Sequence, residues 1–366
     1  MSFHIDPLFP GDVYESAVRL GTDIATNAGR QEDILAVMSE GWDTALSLGW
    51  TALTVPEEAG GFGSGYKELA AVVEGMGHTG GALPVANLCY AVPRVLAASE
   101  SLLAKKMLGE IAEGATRVVI ANESGAVPSL EEKGGQFALT GTVHAVEIGS
   151  TPSTVLVYAQ TAAQEVVLAA VPTGRPGVSM KSYLRMDNRV VADFDLNNVA
   201  LAEDEILLRG DAVTKAQRDT ESFGIIFTAV ESVAAMGRML TETIDYLKNR
   251  QQFGAVLSSF QVLRHGVADL YVDYESLKAQ VQAIVNDTED DRIDARRCSL
   301  LMISIAQLGR RFGERVIQLH GGMGMTEEML ASRLAKRVIF AGFERGGEGR
   351  HLTLAAEATF CEEQGK

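Results

Sequence analysis

The hydrophobic period of this chain changes twice, and that restricts its architecture more than any single residue does. In the first third apolar residues recur three and four apart: Val13, Ala17, Leu20 and Ile24 make one stripe, Leu35, Met38, Trp42 and Ala45 a second, and Leu69, Val72, Val73 and Met76 a third. Such stripes lie on single helix faces and need another apolar face to cover them. From about residue 117 the spacing shortens to β-branched runs at 117–120, 154–158, 166–168 and 190–194, bounded by turn-rich stretches at 132–135 and 172–177. These read as strands of a small antiparallel barrel or sandwich. After about residue 213 the helical spacing returns in longer stretches. Leu263, Val267, Leu270, Tyr274, Leu277, Val281 and Ile284 keep a four-three alternation, and Leu301, Ile305, Leu308 and Phe312 repeat it, as the seams of a bundle do. The expected fold class is therefore α+β in three parts: an N-terminal helical domain at 1–115, a middle antiparallel β-barrel or sandwich at 116–212, and a C-terminal four-helix bundle at 213–366.

Charge narrows the partners. A formal net charge of -16, with 48 acidic against 32 basic residues and no basic block, disfavours nucleic acid and anionic membranes. An anionic ligand would need locally placed arginines and backbone N–H groups. Cys89, Cys298 and Cys361 are far apart and lack metal-ligand spacing, so no metal is expected and a reducing, cytoplasmic setting is. His78, His144 and His265 have no ligand partners at metal spacing, Met323 and Met325 are expected to fill core gaps, and the acidic run at 286–291 to form a solvated turn. Neither a basic leader nor a stretch of eighteen apolar residues occurs, so no targeting or membrane segment is expected.

Two segments carry chemistry. Arg250-Gln251-Gln252-Phe253-Gly254, followed by Phe260-Gln261, ends a helical stretch with a guanidinium, carboxamides and an aromatic, a set able to pair a pyrophosphate and pack beside an adenine. Gln318-Leu319-His320-Gly321-Gly322-Met323-Gly324 offers backbone N–H groups that no side chain screens from an anionic ligand.

Both segments, in this order and separated by two seam-patterned helices, resemble the FAD-binding signatures of the acyl-CoA dehydrogenases. The glycine-rich 55–65 loop resembles the family's first domain, so the likeness covers nearly the whole chain. It implies FAD bound through Arg250, Gln252, Phe253, Gln261, Gln318, Gly321 and Gly322, an acyl-CoA substrate, electron-transfer flavoprotein as electron acceptor, and an oligomer, because these segments reach a neighbouring subunit's FAD. In the family reaction a carboxylate takes the α proton while hydride leaves the β carbon for the flavin, which requires a desolvated base.

The base position departs from the pattern. Counting without a gap from Gly321 puts the family's common catalytic glutamate on Arg345, with Gly346 matching the glycine after it; a one-residue deletion puts it on Glu344 instead. The ungapped register, which also aligns 336–337 and 351–352 with relatives lacking this glutamate, is preferred. Relatives that carry the base on the helix before the arginine motif have it where this chain has Gly224. A flavin-touching segment is altered at 122–128, the tryptophan that walls the flavin is replaced by Ala145, and Glu147 is expected to bring an anion beside the flavin. Segments that serve a neighbour's FAD are thus kept while those serving the chain's own site are changed. The resemblance then implies one subunit of a hetero-oligomer with a related chain, a type that includes enzymes acting on bulky CoA thioesters such as steroid side chains. A homo-oligomer using Glu344 and a non-catalytic scaffolding subunit are the alternatives.

Overall fold

The structure, a computed structural model, describes residues 3–28, 33–121, 127–133, 136–288 and 293–364. The altered 122–126 segment, the 134–135 turn and residues 289–291 of the acidic run lie outside them.

The N-terminal stripes form α1 (Asp12–Ala28), α2 (Ile34–Ser47) and α3 (Tyr66–Thr79), whose buried faces hold Ala17, Leu20, Ile24, Met38, Trp42, Leu69, Val72 and Met76. Asp33 caps α2 by accepting the Ala36 N–H. Two short helices, α4 (Val92–Ala97) and α5 (Leu102–Ala112), complete this part.

Eight strands follow: β1 (Val118–Ile120), β2 (Ser129–Lys133), β3 (Gln136–Glu147), β4 (Thr154–Thr161), β5 (Val166–Pro172), β6 (Val178–Leu184), β7 (Val190–Leu201) and β8 (Ile206–Arg209). They run in the order β6-β7-β3-β2-β4-β5-β8, with β1 beside β4. The end strands β6 and β8 do not pair, so the sheet is an open sandwich and not a closed barrel. Its halves meet through only two residue pairs of β2 and β4, Ser129 with Gln160 and Leu130 with Thr161. That pairing and β1 with β4 are parallel; the others are antiparallel. Alternation sorts the side chains: Val155, Val157, Val167 and Ala169 share a core with Leu139, Val143 and Phe194, while Leu156, Tyr158, Leu168 and Ala170 turn outward against α4 and α5.

The last part contains α6 (Asp211–Asn249), α7 (Gln261–Asp287), α8 (Ala295–His320), α9 (Leu330–Ala341) and α10 (Gly347–Gln364). The four-three residues Leu270, Tyr274, Leu277, Val281 and Ile284 are buried on α7, as are Leu301, Ile305 and Phe312 on α8. At 39 residues, roughly 58 Å of axis, α6 runs the length of the domain and also supports α3. It is the one described helix long and apolar enough to cross a membrane, but 94% of its apolar window is buried inside the molecule, which makes it a core helix. The close approach of α3 and α6 depends on Gly77, where a β-carbon would lie 2.7 Å from the Glu231 carbonyl oxygen. Cys89 and Cys298 are buried free thiols.

Candidate active site and cofactor face

A cavity of about 570 Å³ opens where all three parts meet. The stretch after α3, the ends of β3 and β6, the middle of α6 and the turn after α9 supply its walls. Gly224, Glu344 and Arg345 all line it. The two positions that the ungapped register sets against a base, Gly224 and Arg345, therefore converge on one space, with Glu344, the alternative, beside them. The two are in direct contact, because a β-carbon added at Gly224 would fall on the Arg345 guanidinium.

Glu344 points instead into a cluster of buried charges. Arg185 donates to Glu344 at 3.0 Å, to Glu147 at 2.9 Å, and through two nitrogens to Asp187 at 2.8 and 2.7 Å. Arg189 donates to Glu147 at 2.9 Å and to Glu231 at 2.5 Å. Arg337, from α9, reaches Glu231 at 3.3 Å and also donates to the Gly81 carbonyl at 2.7 Å. Three guanidiniums thus face four carboxylates, and Glu344 has its affinity for a proton raised. Burial, reinforced by the nearby Glu147 charge, pushes its carboxyl above the usual range despite Arg189 and Arg185. Burial also acts upward on Glu147, but Arg189 and Arg185 outweigh it and hold that carboxyl low. The anion expected beside the flavin is therefore already compensated by two cations.

The sequence reading missed Arg185, Asp187, Arg189, Glu231 and Arg337. A signal existed for two of them: Glu231 stands between the apolar pairs Ala229-Val230 and Val233-Ala234, and Arg337 sits on the buried stripe Leu334, Val338 and Ala341. Ala145 lies at a register shift of β3 against β7, with φ +53° and its N–H donated to Asp193 at 2.8 Å. It lines the cavity and puts no aromatic ring there.

The cofactor residues predicted from the motifs lie elsewhere. Arg250 caps the end of α6, and the residues after it form a hairpin of β9 (Gln251–Gln252) and β10 (Ala255–Val256). At its tip Phe253 has φ +55° and is 88% exposed. Tyr246 donates its hydroxyl to the His320 carbonyl at 3.2 Å, which holds this hairpin and the Gly321–Met325 turn at one end of the bundle. Gly321 has φ +59°, and β-carbons at Gly321 and Gly322 would meet open space. Arg250, Gln252, Phe253, Gln261, Gln318, Gly321 and Gly322 are all exposed, and none lines the cavity. A guanidinium, three carboxamides and unscreened backbone N–H groups suit an anionic dinucleotide, so the residues present fit FAD along this face. Met323 and Met325, expected in the core, are exposed beside it, Met325 at 78%. They sit in the turn past the end of α8, beyond the reach of the apolar seam.

Comparison with known proteins decides the family. Residues 21–115 match the model of the acyl-CoA dehydrogenase N-terminal domain, and residues 223–360 that of the acyl-CoA dehydrogenase C-terminal domain. The chain belongs to the acyl-CoA dehydrogenase family. This dehydrogenase is an oxidoreductase whose cofactor is FAD. It is 26% identical over 330 residues to the acyl-CoA dehydrogenase FadE12 of Mycobacterium tuberculosis, covering 81% of this chain and 83% of that one. It is 27% identical over 289 residues to FadE28 of the same organism, covering 78% and 82%. Its fold matches a chain of the Mycobacterium tuberculosis ChsE4-ChsE5 complex with a TM-score of 0.77 at 21% identity, over 96% of this chain and 98% of that one.

Proposed function

We propose that this dehydrogenase is one subunit of a hetero-oligomer that oxidises an acyl-CoA at its α and β carbons, with FAD sites that span the interface with a related subunit. The observation that carries this reading is the separation of the two halves of a site within one chain. Every residue suited to FAD is on an exposed face, while the cavity that would receive the acyl group has Gly224 and Arg345 where relatives carry a base. A similar fold in one half of the ChsE4-ChsE5 complex supports the heteromeric form.

In that assembly Arg250 would pair the cofactor's pyrophosphate, Gln252, Gln261 and Gln318 would offer it carboxamides, Phe253 an aromatic face, and Gly321 and Gly322 unscreened backbone N–H groups. FAD, held there, would supply the acceptor for a hydride from the substrate's β carbon. The partner chain supplies the carboxylate that takes the α proton, and electron-transfer flavoprotein removes the electrons. Buried free thiols at Cys89 and Cys298 suit a reducing cytoplasm. The domain limits we assign are 1–115, 116–212 and 213–366.

A second reading has one observation in its favour: Glu344 is a cavity carboxylate whose affinity for protons is raised by burial, as a general base requires. It makes the chain a self-sufficient homo-oligomer. The deciding experiment measures flavin-to-protein stoichiometry by absorbance, together with mass in solution, for the chain alone and co-expressed with related subunits. The heteromer reading expects fewer flavins than subunits for the chain alone and a rise on co-expression. One tightly held FAD per subunit in a homo-oligomer would overturn it.

A further inference from the structure

Arg345 differs from every other cation around the cavity. Arg185 and Arg189 are paired within the buried cluster, and Arg350 donates to Glu221 through two nitrogens. Among the described residues the Arg345 guanidinium has no ion-pair or hydrogen-bond partner, and its Nε is fully buried and unsatisfied. The residue as a whole is half-buried, which leaves its other nitrogens open to a ligand, and a buried polar nitrogen left unbonded is costly.

The backbone holds it there deliberately. Arg345 has φ +53° and ψ +33°, and Gly346 and Gly347 follow at φ +85° and +65°. A left-handed arginine persists only where its surroundings impose that conformation, and such outliers gather at ligand sites. The clamp is visible: the Arg345 carbonyl accepts from Arg350 Nη1 and from His351 Nε2, each at 3.1 Å. His351 is itself buried, and donation through Nε2 leaves Nδ1 to accept from the Ser299 hydroxyl at 3.3 Å. Gly224 removes the one β-carbon that would expel the guanidinium. The remaining walls are mixed: Val73, Met76, Leu83, Tyr90, Phe227 and Phe340 give an apolar part, and polar and charged side chains, Gln217 and Glu221 among them, give the rest.

We propose that this cavity binds an acyl thioester whose chain carries a second carboxylate, and that Arg345 is the group that pairs with it. The thioester part of this statement rests on the acyl-CoA reading above; the anion subsite rests on the cavity. The apolar part of the wall suits a hydrocarbon chain, and a guanidinium with no bonded partner, planar and able to donate two parallel N–H bonds, suits a carboxylate better than a neutral end. With Arg345 in the place of a base, a ligand in this chain's own cavity is held and not deprotonated by it.

The test is calorimetric titration of the full-length protein with glutaryl-, adipoyl- and suberoyl-CoA against monocarboxylic thioesters of matched length. The expected result is a preference of roughly ten- to a hundredfold for at least one charged thioester over its neutral match. Arg345→Met should abolish that preference and Arg345→Lys keep part of it. Gly224→Ala, which displaces the guanidinium without removing its charge, should also reduce it, with melting temperatures showing that each variant folds. Equal binding of charged and neutral thioesters, or a preference that survives Arg345→Met, would overturn the subsite and leave the family reading standing. Binding of no thioester at all would overturn the subsite and the acyl-CoA reading of this cavity together.

Discussion

Replacing Arg337 by methionine should destabilise the protein far more than replacing its half-buried neighbour Lys336. Arg337 is buried, and one guanidinium joins all three parts of the chain. It donates to the Gly81 carbonyl after α3 at 2.7 Å, to the Asp187 carbonyl in the β6–β7 turn at 3.3 Å, and to Glu231 of α6 at 3.3 Å. Methionine can fill much of the volume but leaves those acceptors unanswered. Removing one partner of a buried ion pair costs about 3–5 kcal/mol. Glu231 would still be paired with Arg189 at 2.5 Å, so the expected loss is at the lower end, about 3 kcal/mol. Lys336 pairs only with the exposed Glu327, and Lys336→Met should cost about 0–1 kcal/mol. Thermal and urea unfolding of both variants, followed by circular dichroism at low and high salt, reads the difference. Salt should erode the small Lys336 effect and leave the Arg337 effect nearly unchanged. Equal destabilisation by the two substitutions would refute the idea that the buried cluster ties the three parts together.

Arg250→Ala should weaken FAD retention in the assembled oligomer by roughly ten- to a hundredfold through loss of a charge-assisted bond of about 1.5–3 kcal/mol, measured by flavin release; unchanged retention would remove Arg250 from the cofactor site. Glu344→Gln should leave the rate of flavin reduction in the assembled enzyme within about threefold, whereas a fall of about a hundredfold or more, read by stopped-flow absorbance, would make Glu344 the proton acceptor. Asp187 is subject to burial, which acts upward, but Arg185 and Arg189 hold its carboxyl down at about 2 against an ordinary 3.8. Its folded value is depressed, so its contribution of about 2 kcal/mol is present above pH about 4 and lost as the pH falls toward 2. Asp187→Asn should flatten that part of the acid-unfolding profile, and an unchanged profile would remove the assignment.

How much of this was legible in the sequence depends on whether the signal is local. Helix faces and strand runs repeat within a few residues, so α1, α2, α3, α7, α8 and the strands at β1, β4, β5 and β7 could be read before any coordinates. The parallel pairings of β4 with β1 and β2 could not, because pairing is decided by which segments meet and not by alternation within one. The two cofactor segments were visible as motifs, and their meeting at one end of the bundle follows from the Tyr246–His320 contact, which no spacing encodes. The charge cluster draws its members from β3, the β6–β7 turn, α6, α9 and the turn beyond it. Each looks ordinary in its own segment, and only isolated charges within apolar stripes, Glu231 and Arg337, hinted at it.

The two registers for the base differ by one residue, and the fold gives that residue a large consequence. The chain turns left-handed at Arg345, so Glu344 and Arg345 leave the backbone in different directions within the same cavity. Glu344 goes to Arg185 and Arg189, and to accept a proton from a substrate it would compete with the 3.0 Å bond from Arg185, which favours its anionic form and opposes the rise that burial produces. Arg345 goes to α6, against Gly224, and presents a positive charge where proton removal needs a negative one. Gly224 completes the arrangement: a glutamate there would supply a base but would also fill the space the guanidinium occupies. On the ungapped register, the absence of a carboxylate at both positions beside an exposed face suited to FAD is what the proposed hetero-oligomer requires, with the chain's binding energy directed toward a neighbour's cofactor. Its own cavity is then free to recognise a charge without abstracting a proton.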